Sequence, residues 1–130
     1  MKIKVIFAAM VTLLAGSLFL PFPFSEAGDM SAEELQELLE CGEAVVVIDV
    51  REPHEHALGI IPNAHPIPGG QLADDPMIAE LDRDTWIVAL CRSGNRSRVA
   101  QGILQEMGFT RVDNLVDGML GWEGEIEIPQ

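Results

Sequence analysis

Basic side chains are scarce in this sequence. Of its 130 residues, eight are lysine or arginine against 21 aspartates and glutamates, giving a formal net charge of −13. Such a surface repels phosphate backbones and anionic headgroups, which argues against nucleic acid or an anionic membrane surface as a partner. Cysteine is equally sparse. Cys41 and Cys91 allow at most one bridge, and distance in the fold decides whether they pair. Cys41 ends an amphipathic segment and reads as a small apolar filler or a bystander at a helix end. The three histidines, His54, His56 and His65, lack metal-site spacing. His54 and His56 diverge on a helix and read as surface residues. The methionines are scattered gap-fillers rather than a copper-binding cluster, and Trp86 and Trp122 read as core or rim packing. Neither internal repeats nor low-complexity tracts are present. With 48% apolar residues the chain has the means for one modest core.

The apolar residues are unevenly spread. Lys2 and Lys4, the only lysines, precede a run from Val5 to Leu20 broken only by Thr12, Gly16 and Ser17. Pro21 and Pro23 end the run, and Ser25-Glu26-Ala27 puts small residues at a cleavage position. This three-part pattern predicts a signal peptide over 1–27, a single domain over 28–130, and export to the periplasm or medium. The alternative is an uncleaved membrane anchor, because the run approaches the lower limit for a span. Without residues 1–27 no lysine remains, six arginines face 20 acids, and the net charge moves from −13 to −14. Three of the six arginines, Arg92, Arg96 and Arg98, follow Cys91 closely. An anionic substrate is thus repelled by most of the surface and attracted to one place.

Local signals order the rest. Ser31 and Glu34 form a capping box before the Leu35, Leu38, Leu39 stripe, and Gly42 closes that helix. Ala44 to Ile48 is a β-branched run, read as a strand covered on both faces. Pro53 starts one or two helical turns within Glu52 to Leu58. Gly59 to Gly70 is loop-rich, with a short strand near His65 to Ile67. Asp75 to Leu81 reads as a helix with Pro76 in its first turn. The strand Trp86 to Leu90, a helix ending at Met107–Gly108, the strand Val112 to Leu115 and a last turn at Gly118 to Trp122 follow. Alternating strands and helices predict an α/β fold, a small parallel β-sheet flanked by helices on both faces. Ligands of such sheets bind beyond the carboxyl ends of the strands, where Cys91 falls.

The run Cys91-Arg92-Ser93-Gly94-Asn95-Arg96-Ser97 opens a helix directly after a strand. Backbone N–H donors and the positive helix end at such a place favour a thiolate and cradle a small anion. The arginines strengthen both effects. A buried inert thiol is the duller alternative, and a polar loop makes a poor apolar pocket for one.

Three motifs in order now resemble the rhodanese-type sulfurtransferases. Ile48-Asp49-Val50-Arg51-Glu52, with Glu55 and Gly59-Ile60-Ile61-Pro62-Asn63-Ala64, is similar to the family's first signature. The Cys91 to Ser97 run resembles its active-site loop. Asn114-Leu115, Asp117-Gly118-Met119 and Trp122 resemble its closing motif. Ile60 stands where the family usually has histidine, and Asp117 where glycine is common. The resemblance implies a rhodanese-like fold and a ping-pong sulfurtransferase. In that scheme Cys91 takes a sulfane sulfur from thiosulfate or a similar small anionic donor, as a persulfide. It passes the sulfur to cyanide or a thiol. Backbone N–H groups of Arg92, Ser93, Gly94, Asn95, Arg96 and Ser97 cradle the charge, and the Arg92 and Arg96 side chains hold the donor. Gly94 permits the turn and Ser97 caps the helix. No metal or organic cofactor is required. Asp49 and Arg51 read as a structural ion pair.

Two rival functions share these features. A cysteine-loop phosphatase or arsenate reductase also pairs a cysteine with an arginine. Its loop has five residues between them, whereas Cys91 and Arg96 are separated by four, a fit for one sulfur rather than a tetrahedral oxyanion. The other rival is non-enzymatic, a sulfur-carrier or binding module: the intact Cys91 loop argues against a non-catalytic binding module, whereas a persulfide carrier has the same sequence as an enzyme.

Overall fold

Continuous β-branched runs form the centre of the molecule, because strands paired on both sides bury both faces. The structure, a computed structural model, describes residues 28–130. The expected signal segment lies outside the described residues. Five parallel strands lie in the order β1-β5-β4-β2-β3. They are β1 (Asp29–Met30), β2 (Val45–Asp49), β3 (His65–Pro66), β4 (Trp86–Leu90) and β5 (Val112–Leu115). The helices are α1 (Ala32–Glu40), α2 (Pro53–His56), α3 (Pro76–Glu80) and α4 (Asn95–Glu106), with 3-10 turns over Gly69–Asp74 and Gly118–Gly121.

Alternation along the strands divides the core into two layers. Ile48, Ile87, Ala89 and Cys91 pack with Leu72, Ile78, Ala100 and Leu104, beneath α3, α4 and the first 3-10 turn. Val47, Val88, Leu90 and Leu115 face the other way, onto Leu35 of α1 with Leu38, Met119 and Trp122. Both faces of the sheet are covered, as the sequence predicts. Trp86 and Trp122 are half-buried at the margin of the second layer.

The helix ends follow local chemistry. The Ser31 hydroxyl accepts from Glu34 N at 3.1 Å, and the Glu34 carboxylate accepts from Ser31 N at 2.9 Å. Asp75 caps α3 through Met77 N and Ile78 N. Two elements are not anticipated by the sequence reading. β1 has only two residues, too few for a periodic signal, and exists because Asp29 and Met30 pair with Asn114 and Leu115. The turn over Gly69–Asp74 carries two glycines that mask it as loop. Ile60 is buried and exchanges backbone hydrogen bonds with Glu127, consistent with a packing role.

Candidate functional site

Strand β4 delivers Cys91 to the carboxyl edge of the sheet, where the chain turns through Ser93 and Gly94 into α4. Gly94 sits at φ 93°, a left-handed conformation in which a Cβ would run into the Val116 carbonyl. That turn aims Gly94 N at the Cys91 sulfur, 3.2 Å away. The Ser97 hydroxyl lies 3.4 Å from the same sulfur. Burial pushes the Cys91 thiol up. Hydrogen bonds from the Ser97 hydroxyl and from the N–H groups of Ser97, Ser93 and Gly94 outweigh it, and the net direction is down. The environment therefore favours the thiolate, the nucleophilic form.

The closing motif holds the loop from behind. Met119 N donates to Cys91 O at 2.9 Å and Leu120 N to Arg92 O at 3.1 Å. Gly118, at φ 56°, is what allows this approach, since a Cβ there would press on the carbonyls of Cys91 and Arg92. From β5, the Asn114 amide donates to Gly94 O at 3.1 Å, and its oxygen accepts from the Ser97 hydroxyl at 2.5 Å. Ser97 does not cap α4. The N-cap is Gly94, without a side-chain cap, and Ser97 lies one turn inside with its hydroxyl turned to the sulfur and Asn114.

The three arginines differ. Arg96 makes a two-pronged pair with Glu55 of α2, at 2.7 and 2.8 Å. Its guanidinium holds the Glu55 carboxyl down to about 2, against burial, with help from Glu52 N–H, and the carboxylate in turn raises Arg96. Arg98 reaches Asp29 at 2.8 Å. Arg92 is exposed and, among the described residues, makes no ion pair. Ser93 and Asn95 are exposed beside it.

Behind Glu55 lies a buried polar frame. The Arg51 guanidinium grips the Asp49 carboxylate at 2.7 to 3.1 Å and donates to Gly59 O at 2.8 Å and Glu55 O at 3.4 Å. This is the structural ion pair the sequence predicts, and it fixes α2 so that Glu55 meets the loop. His56, expected at the surface, is instead buried at 5% exposure, with Nε2 3.1 Å from Asp49 O. The helix is a single turn, so His54 and His56 separate as expected, but the side bearing His56 faces the frame. Cys41 is exposed and Cys91 buried, and both are free thiols. Among the described residues no cluster of metal ligands occurs. A groove of about 1450 Å³ between α1 and the amino-terminal ends of the strands includes Cys41 and Trp86 and does not include Cys91.

A cysteine cradled by main-chain N–H groups at the head of a central parallel strand defines a class of α/β proteins built for sulfur or oxyanion chemistry. Comparison with known proteins narrows the class. A family model described as a rhodanese-like domain matches residues 31–125. The Bacillus subtilis (strain 168) protein YtwF is 41% identical over 100 residues, covering 77% of this chain and 94% of that protein. An Allochromatium vinosum protein named sulfurtransferase is 36% identical over 95 residues, covering 72% and 86%. A crystal structure of a rhodanese-like domain protein from Staphylococcus aureus superposes with a TM-score of 0.71 at 29% identity, over 78% of this chain and 98% of that one. The chain belongs to the rhodanese-like family.

The structure brings Gly94 and Ser97 onto the Cys91 sulfur and leaves Arg92, Ser93 and Asn95 exposed beside it. Sequence reading quotes Glu55 and Asn114 only as motif letters and assigns them no contact. Their partners lie 41 and 17 residues away, Arg96 and Ser97, so no local spacing reports them.

Proposed function

We propose that this protein is a sulfurtransferase that carries a sulfane sulfur as a persulfide on Cys91. The observation that supports this best is the convergence of Gly94 N–H and the Ser97 hydroxyl on the Cys91 sulfur at the carboxyl edge of the sheet. In the first half-reaction the Cys91 thiolate attacks the outer sulfur of thiosulfate or a similar donor. A bond forms between the two sulfurs, the donor's own sulfur–sulfur bond breaks, and sulfite leaves with its electron pair. In the second, cyanide or a thiolate attacks the outer sulfur of the persulfide and Cys91 departs as the thiolate. Charge on or beside Cys91 is stabilised in both steps by the Gly94 N–H already aimed at it and by the Ser97 hydroxyl when it turns to the sulfur. Removing one such donor costs about 3 kcal/mol in a transition state.

Arg92 carries the donor's anionic end in this reading, because among the described residues it makes no ion pair, whereas Arg96 is held by Glu55. The four-residue spacing from Cys91 to Arg96 supports sulfur over phosphate. The partners are a small anionic sulfur donor and a thiol or cyanide acceptor, not nucleic acid, and no cofactor is invoked. Export remains part of the proposal on the pattern of residues 1–27 alone, and a retained segment makes the protein membrane-anchored. Amino-terminal sequencing of protein from fractionated cells tests that point: an intact start at Met1 in cytosolic protein overturns it.

Steady-state kinetics with thiosulfate and cyanide test the activity. Parallel double-reciprocal lines, absent in Cys91→Ser, are expected. Thiocyanate formation that survives Cys91→Ser refutes the proposal.

A further inference from the structure

Asn114 is almost fully buried on β5, at 1% exposure, and Ser97 is fully buried beside it. The orientation of the Asn114 amide follows from its partners. Gly94 O can only accept, so the group 3.1 Å from it is the NH2 end of the amide. The carboxamide oxygen therefore faces Ser97, 2.5 Å from its hydroxyl. That oxygen can only accept, so the single Ser97 proton lies on the line to Asn114. The Ser97 oxygen then presents a lone pair to the Cys91 sulfur at 3.4 Å. A thiol suits this arrangement, donating S–H to Ser97. A thiolate keeps the Gly94 N–H but gains the Ser97 hydroxyl only when that hydroxyl turns away from Asn114. Asn114 then loses its donor in a buried place. Asn114 and the sulfur compete for one proton.

We infer that Asn114 is a positioning residue that holds the Ser97 hydroxyl while the Cys91 sulfur is neutral and releases it when that sulfur is charged. The hydroxyl rotates, and no bond to hydrogen breaks. The inference rests on the reading of Cys91 as the sulfur carrier. Across that cycle the Cys91 sulfur is charged as the free thiolate and neutral as the inner atom of the persulfide, so Ser97 serves each state in turn. Asn114 sets the cost of moving between them.

Removing the competitor leaves the Ser97 hydroxyl to the sulfur, so Asn114→Leu, isosteric and without polar atoms, makes the thiolate easier to form. Gly94 O keeps its second donor, Arg98 N at 3.3 Å. The charged groups on and beside the loop are Arg92 and Arg96 in its own sequence, Glu55 and Glu52 acting on Arg96, and Asp117 at the start of the turn behind it. All are unchanged in the variants. The test titrates Cys91 by thiolate ultraviolet absorbance in a Cys41→Ser background, which leaves one thiol. The sequence has no tyrosine to overlap the band. Asn114→Leu is expected to lower the midpoint by about half a unit to one unit, the scale of one hydrogen bond. In a Ser97→Ala background the same substitution is expected to shift nothing. A midpoint that stays or rises in Asn114→Leu, or a shift that persists without the Ser97 hydroxyl, overturns the inference. Asn114→Val, which suits a strand, supplies the same pair of comparisons if the leucine variant does not fold. Because the titration reads the thiol itself, a protein inactive toward thiosulfate still decides this point.

Discussion

The same substitution is expected to act with opposite sign at two glycines of this chain. Gly94 lies at φ 93° in the Cys91 loop, and Gly102 lies in the interior of α4 with open space where a Cβ would be. In Gly102→Ala the helix gains a residue that loses less backbone freedom on folding, which stabilises by about 0.5–1 kcal/mol. In Gly94→Ala a Cβ in the left-handed region costs about 1–2 kcal/mol before any contact is counted. That Cβ also meets the Val116 carbonyl, and Val116 is tied to β1 by its N–H to Met30 O at 3.1 Å. The sheet edge is thus harder to move than the loop. If the loop yields, Gly94 N–H swings off the sulfur, and loss of one such donor slows chemistry by about 10²–10³-fold. Thermal unfolding and the rate of sulfur loading from thiosulfate report the two effects separately. Gly94→Ala is expected to lower Tm by about 5 °C or more and Gly102→Ala to raise it by a few degrees. A Gly94→Ala protein with wild-type Tm and wild-type loading rate refutes the reasoning about the turn.

Glu55→Gln is expected to change stability by only about 0.2–1 kcal/mol, because the Arg96 side chain is 44% exposed. Its larger effect is on binding: Arg96 is freed for the donor, and KM for thiosulfate falls severalfold. The pair's contribution to stability is complete above the ordinary carboxylate value of 4.5 and fades as pH falls toward about 2, since the folded value is the lower one. Acid titration of wild type against Glu55→Gln by circular dichroism reads this, with the difference between them closing in acid. For Cys91 the direction is also down, so the loading rate climbs with pH to a plateau at lower pH than an ordinary thiol gives. Ser97→Ala moves that plateau to higher pH, and an unmoved profile contradicts the hydroxyl's role. Ser31→Ala removes the α1 cap and is expected to cost about 1 kcal/mol in urea unfolding without altering sulfur loading.

Much of this architecture is written in short-range signals. The Ser31–Glu34 box, the glycines at 42 and 108, and the β-branched run of β2 each act within a few residues, and each appears where local chemistry puts it. The Cys91 loop was legible for the same reason, as a strand, a glycine turn and a helix start are contiguous. What escaped is non-local. His56 is buried because Asp49 and Arg51 assemble a polar frame over the end of β2, and its spacing from His54 holds no trace of that. A hydroxyl at the start of a helix suggests a cap, yet the Ser97 hydroxyl is taken by Asn114 of β5 and by the sulfur of its own loop. The arginines counted as one cationic cluster until tertiary structure paired two of them with Glu55 and Asp29.

Intact mass measurement of the purified protein after exposure to thiosulfate tests the central claim most directly. The account predicts a gain of one sulfur atom per chain, its complete removal by cyanide, and no gain in Cys91→Ser, while Cys41→Ser loads as wild type does. No gain in wild-type protein, or an equal gain in Cys91→Ser, contradicts it.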